Sequence, residues 1–217
     1  MEFFNAHTHQ WSKQAHVVEL VNQYPQELNE AIPQYSIGIH PWYINETRLA
    51  ADYDIIQKSM SQPNCWAVGE CGLDKRIEIP LPLQQQVFET QLLLGQEYNK
   101  PVIIHCVAAF QEVVAIKKRL QITVPLIIHG FSKNKAVAQQ LLDNGFYISF
   151  GKYLLRNPAL EEVFASVPND RFFLETDTVE EGIEAVYELA ARYKNTTVAV
   201  IQTQIQTNFN TVFGLKT

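Results

Sequence analysis

The sequence predicts an α/β protein, a compact (β/α)8 TIM barrel whose first two β/α units are shortened. Short runs rich in Val, Ile, Phe and Tyr recur along the chain, and longer helix-like runs separate most of them. Strands that alternate with helices in this way favour a barrel, with an open doubly wound sheet as the alternative. There is no linker, repeat or low-complexity segment, so we predict one domain over residues 1–217.

The predicted strands are short and rich in β-branched and aromatic residues, which favour extended backbone. They span residues 3–7, 16–22, 35–39, 65–70, 102–105, 125–129, 146–149 and 171–176. The shortened segments between strands lie near the start of the chain. Only eight residues separate the first strand from the second, and the segment 23–34 leaves room for little more than one helical turn. The first two β/α units should therefore lack full helices.

Helical periodicity fills most of the intervals between these strands. The clearest pattern covers residues 83–99, where apolar side chains recur on one helical face. The other predicted helices span residues 46–61, 109–120, 133–143, 158–166 and 179–193, with a final helix over 196–213. Pro101 and Pro125 each open a strand just after a helix, because proline cannot continue one.

Composition argues against several classes of protein. Hydrophobic residues make up 47% of the chain and charged residues 18%, as in ordinary globular proteins. No apolar stretch is long enough to cross a membrane, and the first residues lack the features of a signal peptide, so we expect a cytoplasmic protein. Three cysteines without a Cys-x-x-Cys pair fit a reducing compartment. The net charge of −6 argues against broad coating of nucleic acid but allows a local basic patch. We expect a monomer.

The first chemical signal is a pair of histidines, His7 and His9, at the end of the first apolar run. Side chains two residues apart in a strand point to the same face. Two imidazoles on one face can therefore bind one metal ion, and imidazole suits Zn, Mn, Fe or Co. The alternative is a pair of surface histidines near a frayed terminus.

Other residues that bind metals stand at the ends of the predicted strands. Glu70, His105 and His129 each end a strand, and His40 and Asp177 each follow one. In a barrel the carboxyl ends of all strands converge on one face, where active sites form. Any one of these residues alone is more often structural, since a strand-end histidine is commonly hydrogen-bonded and a carboxylate can cap a helix. Their joint occurrence at equivalent positions predicts a metal site.

The motifs around these residues follow one another in a definite order. They are His-x-His at 7–9, Gly-Ile-His-Pro-Trp at 38–42, Gly-Glu-Cys-Gly-Leu-Asp at 69–74, Pro-Val-Ile-Ile-His at 101–105, Ile-His-Gly-Phe-Ser at 128–132, Gly-Phe-Tyr-Ile-Ser at 145–149 and Leu-Glu-Thr-Asp at 174–177. In these motifs the chain resembles the TatD-type metal-dependent deoxyribonucleases, part of the wider group of amidohydrolase-like metal-dependent hydrolases. The Gly-Glu-x-Gly-Leu-Asp and Glu-Thr-Asp blocks are the most specific of them. The resemblance implies a hydrolase of phosphodiester bonds.

The resemblance also implies a binuclear centre of divalent ions, with Zn, Mn or Mg as candidates. Its first ion would be held by His7, His9, Glu70 and Asp177. Glu70 would bridge to a second ion, completed by His105 and His129. Mixed imidazole and carboxylate ligands suit hydrolytic metals, which activate a water molecule. Glu70 and Asp177 are the predicted catalytic residues, with Asp177 as general base.

Basic and aromatic residues in the loops after the strands suggest a substrate. His40, Lys133 and Arg156 are the predicted substrate contacts, and DNA or another phosphoester is the expected substrate. The alternative for the lysine and arginine is a solvated loop surface. Trp42 and Tyr43, with other loop aromatics, could stack on bases, although Trp42 could instead pack as a lid on the core.

The chain also departs from the family pattern. Asn5 stands where members usually carry aspartate, which replaces an anionic partner of the metal ligands with a neutral one. The proline-rich loop that usually follows Asp177 is missing, and with it part of the usual substrate wall. Alternation leaves open whether Glu175 points toward the site. Cys71 and Cys106 should be small buried residues rather than nucleophiles.

Two other functions stay open at this point. One is a metal hydrolase of small molecules, namely a phosphoester, lactone or amide, which the missing loop and the acidic charge favour. The other is a metal-binding scaffold without catalysis. The fold alone cannot choose among these functions.

Overall fold

The computed structural model describes residues 2–214, and these contain the eight predicted strands in one sheet whose order follows the chain. The strands are β1 (Phe3–Thr8), β2 (Val17–Gln23), β3 (Tyr35–Ile37), β4 (Cys65–Asp74), β5 (Val102–Val107), β6 (Leu126–Ile128), β7 (Tyr147–Phe150) and β8 (Phe172–Leu174). Pairing is parallel between β2 and β3, β3 and β4, β4 and β5, and β7 and β8. Sequential parallel strands with intervening helices are the repeating unit of a (β/α)8 barrel.

The helices lie between the strands as predicted, with differences at their starts. They are α1 (Leu49–Met60), α2 (Leu81–Glu97), α3 (Phe110–Arg119), α4 (Lys135–Asp143), α5 (Lys152–Arg156), α6 (Glu161–Ser166), α7 (Ile183–Tyr193) and α8 (Val198–Phe213). Short 3-10 helices cover Pro25–Glu27, Pro41–Tyr43, Pro158–Leu160 and Asn169–Arg171. The single turn at Pro25–Glu27 confirms the shortened second unit. In the first β/α unit, the described residues 9–16 contain no helix.

Most boundaries differ from the predicted ones by a few residues, and the following differences are the most informative. The predicted helix 179–193 begins only at Ile183, because Gly182 precedes it in an extended conformation. The predicted helix 158–166 is a 3-10 turn followed by α6, and the short helix α5 was missed. Strand β4 runs four residues past its predicted end at residue 70 and reaches Asp74.

The structure divides into two compact units, and the predicted single domain over residues 1–217 stays a prediction. The terminal unit comprises residues 2–20 and 128–214. Its core is aromatic: the Phe4 ring packs edge-on against Phe209 with 4.8 Å between ring centroids. The buried Tyr187 hydroxyl accepts from the Phe4 backbone N–H at 3.1 Å and donates to the Phe4 carbonyl at 3.0 Å. These contacts fix β1, which contains His7 and is followed directly by His9, two of the predicted metal ligands.

The central unit comprises residues 21–127 and is built around β4 and β5. Apolar side chains of both strands, including Val68 and Ile104, are fully buried. The two backbones approach closely where β4 carries Gly72, which has a φ of +149°. A Cβ at this position would stand 2.0 Å from the carbonyl oxygen of His105, so only glycine fits. Among the residues that the structure describes, no helix is both long and apolar enough to cross a membrane.

Candidate metal centre

The terminal unit brings together His7, His129 and Asp177, three of the predicted metal ligands. One ligand atom from each lies within 4.8 Å of the others, which is close enough to coordinate one ion. His7 is the penultimate residue of β1, His129 follows β6 and Asp177 follows β8, so three strand ends supply this terminal set. The His7 side chain is fully buried, and its ring centroid lies 4.3 Å from that of His129.

The backbone of β1 fixes Asp177. Asp177 forms an isolated parallel bridge with Thr8, its N–H donates to the His7 carbonyl at 3.0 Å, and its carbonyl accepts from the His9 N–H at 3.1 Å. Asp177 has a φ of +56°, a left-handed conformation that Asp tolerates better than most residues. The side chain of His9 completes the arrangement, with its Nε2 3.5 Å from Asp177 Oδ1.

Glu175 points toward the terminal set, which answers the question that strand alternation left open. Its Oε1 accepts a hydrogen bond from the Gly130 N–H at 2.7 Å and lies 3.6 Å from His129 Nδ1. The side chain is completely buried. A carboxylate beside a ligating histidine orients the ring and raises its basicity. Glu175 is therefore placed to support His129.

The central unit brings together His40, Glu70 and His105, again with one ligand atom each within 4.8 Å of the others. Glu70 Oε1 lies 3.2 Å from His40 Nε2 and 3.0 Å from His105 Nδ1. His40 and Glu70 are both buried. In this central set His40 is one of the three candidate ligands, although the sequence predicted it only as a substrate contact. The predicted sharing of Glu70 between two ions stays a prediction.

Two buried amides hold the central set in place. The Asn22 Oδ1 accepts from the Glu70 backbone N–H at 2.7 Å. On α2, the buried Gln91 accepts from the Ile39 N–H at 2.7 Å and donates to the Ile39 carbonyl at 3.2 Å. Because Ile39 directly precedes His40, Gln91 fixes the backbone from which that imidazole projects.

Asp74 is a site residue that the sequence reasoning missed. Its Oδ2 lies 3.6 Å from His105 Nε2 and accepts from the Trp42 indole N–H at 2.8 Å. Burial alone would raise the pKa of Asp74, but hydrogen bonds from Trp42 and from the Arg76 N–H, with the nearby His105, lower it below its usual range. The available signal was strand periodicity, since residues 70 and 74 face the same side of one strand.

The predicted basic contacts occupy different surroundings. Arg156 lies on α5 with its guanidinium 3.7 Å from the Glu181 carboxylate, and Lys133 is half-buried between β6 and α4. Lys152 was not among the predicted contacts, yet its Nζ lies 4.0 Å from Asp177 Oδ2 and 3.2 Å from Thr178 Oγ1. Lys75 is paired with Glu112. Lys152 is thus a cation beside the terminal set.

The cysteines take no part in either set. Cys71 is fully buried, and burial raises the pKa of its thiol, as predicted for an inert residue. Cys106 is half-buried rather than buried. The donors in both sets are thus imidazole nitrogens and carboxylate oxygens, a chemistry that fits Zn, Mn or Mg better than thiol-seeking metals.

Comparison with known proteins places these motifs in a family. A family model described as "TatD related DNase" matches residues 3–214. The "Uncharacterized metal-dependent hydrolase YcfH" of Escherichia coli (strain K12) is 34% identical over 148 residues, which cover 66% of this chain and 55% of the relative. The "3'-5' ssDNA/RNA exonuclease TatD" of Pantoea ananatis (strain LMG 20103) is 30% identical over 167 residues, 73% of this chain and 64% of the relative. The matches span little more than half the length of such curated relatives.

A solved structure confirms the predicted (β/α)8 barrel. The crystal structure of YjjV, a TatD homologue from Escherichia coli K12, matches with a TM-score of 0.82 and covers 99% of both chains at 21% identity. At this identity the likeness concerns the fold alone. The motifs and the family match carry the assignment, and because that match extends from residue 3 to residue 214, the chain belongs to the family of TatD related DNases.

Proposed function

We propose that this chain is a divalent-metal-dependent hydrolase of phosphodiester bonds, with deoxyribonuclease as its activity. The observation that carries the proposal is the presence of two sets of three ligand side chains, each with its ligand atoms within 4.8 Å. Membership of the TatD related DNase family and relatives named as metal-dependent hydrolases support it. A relative named as an exonuclease of single-stranded DNA and RNA supports nucleic acid as the substrate.

We assign one divalent ion to each set, Zn, Mn or Mg. The terminal set would hold one ion through His7, His129 and Asp177, with His9 beside Asp177. The central set would hold the other through His40, Glu70 and His105. Bound ions of this kind lower the pKa of a water molecule and neutralise charge on a phosphoryl oxygen.

The side chains around the sets have separate tasks in this proposal. Asp177 is the general base, because a carboxylate held rigidly by the Thr8 bridge can accept a proton from the attacking water. Lys152, 4.0 Å from Asp177 Oδ2, attracts the substrate phosphate and orients it toward that base. Glu175 keeps the His129 ring in position. Lys133 and Arg156 contact the nucleic-acid backbone.

A small-molecule phosphoester is the second candidate substrate. Arg156, one of the cations proposed to bind DNA, is paired with Glu181, and Lys75 is paired with Glu112. These pairs reduce the positive charge available for a long phosphate backbone. Only five residues separate Asp177 from the start of α7 at Ile183. This short segment offers little surface beside Asp177 for contacts with a long substrate. A hydrolase of this kind would act as a cytoplasmic monomer, as would the nuclease.

The test is hydrolysis of single-stranded DNA by metal-stripped protein reloaded with Mg, Mn or Zn. Asp177→Asn is the inactive variant, and Asp143→Asn, the same chemical change at an exposed position of α4, is its matched control. We expect metal-dependent cleavage that Asp177→Asn abolishes and Asp143→Asn leaves unchanged. Cleavage of a small phosphodiester alone would move the assignment to the second candidate. Tight metal binding without hydrolysis of either substrate would leave the scaffold function.

A further inference from the structure

Trp42 of the central unit is both exposed and firmly anchored. The residue is 55% exposed, yet its indole N–H donates to the buried Asp74 carboxylate at 2.8 Å. Its backbone N–H donates to His40 Nδ1 at 3.1 Å. An exposed tryptophan held at both its backbone and its ring edge offers a flat apolar surface whose orientation is set before any ligand arrives.

Asp74, which holds the Trp42 indole, is itself fixed by a buried amide. Gln84 on α2 accepts from the Asp74 N–H at 2.8 Å and donates to the Asp74 carbonyl at 3.0 Å. The Gln84 amide also donates a hydrogen bond to the Ile79 carbonyl at 2.7 Å. Because the oxygen and the nitrogen of this amide both bind backbone groups, Asp74 cannot shift without breaking several buried hydrogen bonds. The orientation of the indole is therefore determined by the core.

A second exposed ring lies next to Trp42. Tyr43 is 43% exposed, and the ring of Tyr24 packs edge-on against it at 5.1 Å between centroids. Both exposed rings belong to the 3-10 helix Pro41–Tyr43, which begins directly after His40. We name Trp42 and Tyr43 the aromatic platform.

The platform adjoins the central set. The centroid of the Trp42 ring lies 5.1 Å from that of His40 and 6.0 Å from that of His105. The Tyr43 ring lies 5.6 Å from His40. A nucleotide carries its base and its phosphate on one sugar, so a base stacked on this platform would keep its own phosphate beside these ligands.

We propose that the aromatic platform is a stacking subsite for an unpaired nucleobase, in DNA or RNA, next to the scissile phosphate. Every base has an aromatic face, so this subsite would accept any sequence but would require a single strand. A duplex hides its bases in the stack and offers only its backbone. The inference rests on the proposed function, because it gives that phosphodiester substrate its single-stranded character.

The experiment compares two oligonucleotides of equal length, oligothymidylate and its abasic counterpart, both with phosphorothioate linkages that resist hydrolysis, in fluorescence anisotropy with metal-reconstituted protein. Trp42→Leu keeps apolar bulk but removes the aromatic face. We expect its Kd for oligothymidylate to rise about tenfold, in line with the measured strength of base–aromatic stacking, while its Kd for the abasic strand stays unchanged. Trp42→Phe keeps a ring without the N–H and should lose less. Leu93→Ala, 49% exposed on α2, is the control and should bind both strands like the parent.

Equal effects of Trp42→Leu on both oligonucleotides would overturn the inference, since a loss through Asp74 or the metal ligands would not depend on the base. Unchanged binding of oligothymidylate by Trp42→Leu, with the variant folded by circular dichroism, would overturn it as well. Failure of the proposed function looks different. In that case the parent protein would cleave no phosphodiester with any metal, while a preference for oligothymidylate over the abasic strand that Trp42→Leu removes would still support the subsite.

Discussion

Asn5 and Thr176 exchange two hydrogen bonds: the Asn5 amide Nδ2 donates to Thr176 Oγ1 at 2.8 Å, and the Thr176 backbone N–H donates to Asn5 Oδ1 at 3.0 Å. Both residues are buried. Thr176 lies between Glu175 and Asp177, so the pair holds the backbone that carries both carboxylates. Asn5 thus has a structural task of its own in the position where aspartate is usual.

We expect Asn5→Ala to lower the free energy of unfolding by about 1–3 kcal/mol, because it leaves the buried Thr176 N–H without an acceptor. Loss of such support for a metal ligand should also weaken metal binding by about 10–100-fold. Asn5→Asp should be milder, since it keeps the acceptor and the Thr176 hydroxyl can turn to donate. Urea unfolding and metal titration by calorimetry measure both effects.

The control for Asn5 is Asn210→Ala, an exposed position on α8. Its unfolding free energy should stay within about 0.5 kcal/mol of the parent value. If Asn5→Ala bound metal as tightly as this control, the support we assign to the Asn5–Thr176 pair would be refuted.

Gln91→Leu tests the amide that holds His40. The change removes the partners of both the Ile39 N–H and the Ile39 carbonyl in the core, so we expect a loss of about 1–3 kcal/mol for each unsatisfied group. Metal affinity of the central set should fall with it. Gln86→Leu, exposed on the same helix, makes the same chemical change without these bonds and should leave both quantities unchanged. Equal behaviour of the two variants would contradict the role of Gln91.

Gly72→Ala should be strongly destabilising because it combines strain with a collision. The new Cβ would stand 2.0 Å from the His105 carbonyl oxygen at a φ of +149°. Gly214→Ala separates the two effects, since Gly214 also has a positive φ, +60°, but a Cβ there meets nothing within 4 Å. We expect a loss near 1 kcal/mol at Gly214 from the backbone alone and a larger loss, at least about 1–3 kcal/mol, at Gly72. Thermal unfolding of the two variants checks this order, and similar losses would show that β4 can move away from β5.

Lys194 predicts a pH dependence of stability. Its ammonium is half-buried, with the ring centroids of Phe164 and Phe172 5.2 and 5.4 Å away, and it donates to the carbonyls of Ala165 and Val167. Burial lowers the pKa of Lys194 to about 8 from 10.5. Between these two values the unfolded chain holds a proton that the folded chain has released, so the free energy of unfolding should rise with pH.

Lys194→Met carries no titrating group, so its unfolding free energy is the reference. From pH 8 to pH 10.5 the unfolding free energy of the parent should rise, relative to that of this variant, by about 1 kcal/mol. This figure is discounted because the ammonium is only half-buried. Guanidinium unfolding at several pH values measures the difference between the two proteins, which cancels the titration of other groups. A constant difference across this range would mean that burial does not lower the pKa of Lys194.

The ends of the strands could be read from the sequence because they combine two signals. An apolar run predicts a buried strand, and an ionisable residue directly after it has no reason to be there for packing. His7, His105 and His129 were found in this way. Convergence of parallel strand ends predicts that such residues share one face of a barrel, but not how they group. His129 was predicted to share an ion with His105, whereas its ligand atom lies with those of His7 and Asp177.

Other features depend on contacts that sequence patterns do not encode. His40 lies with Glu70 and His105, and the preceding Ile39 backbone is held by Gln91, a polar residue on a helix face that periodicity marks only as an interruption. The sequence allows two interpretations of Trp42, a lid on the core or a surface for stacking. The orientation of its ring depends on a hydrogen bond to Asp74, which is 32 residues away in the chain. Helix α5 was missed because five residues are too few to show a helical period.

Strand β4 carries both Glu70 and Asp74, and Asp74 stands between His105 and Trp42. An ion bound by Glu70 and His105 and a base stacked on Trp42 would both act on Asp74, so their binding free energies can be coupled. Thermodynamic reciprocity then requires that any factor by which the ion tightens the nucleotide equals the factor by which the nucleotide tightens the ion. If that factor exceeds one, a substrate that stacks well would help retain the ion at Glu70 and His105, and release of the product would lower the affinity for that ion by the same factor.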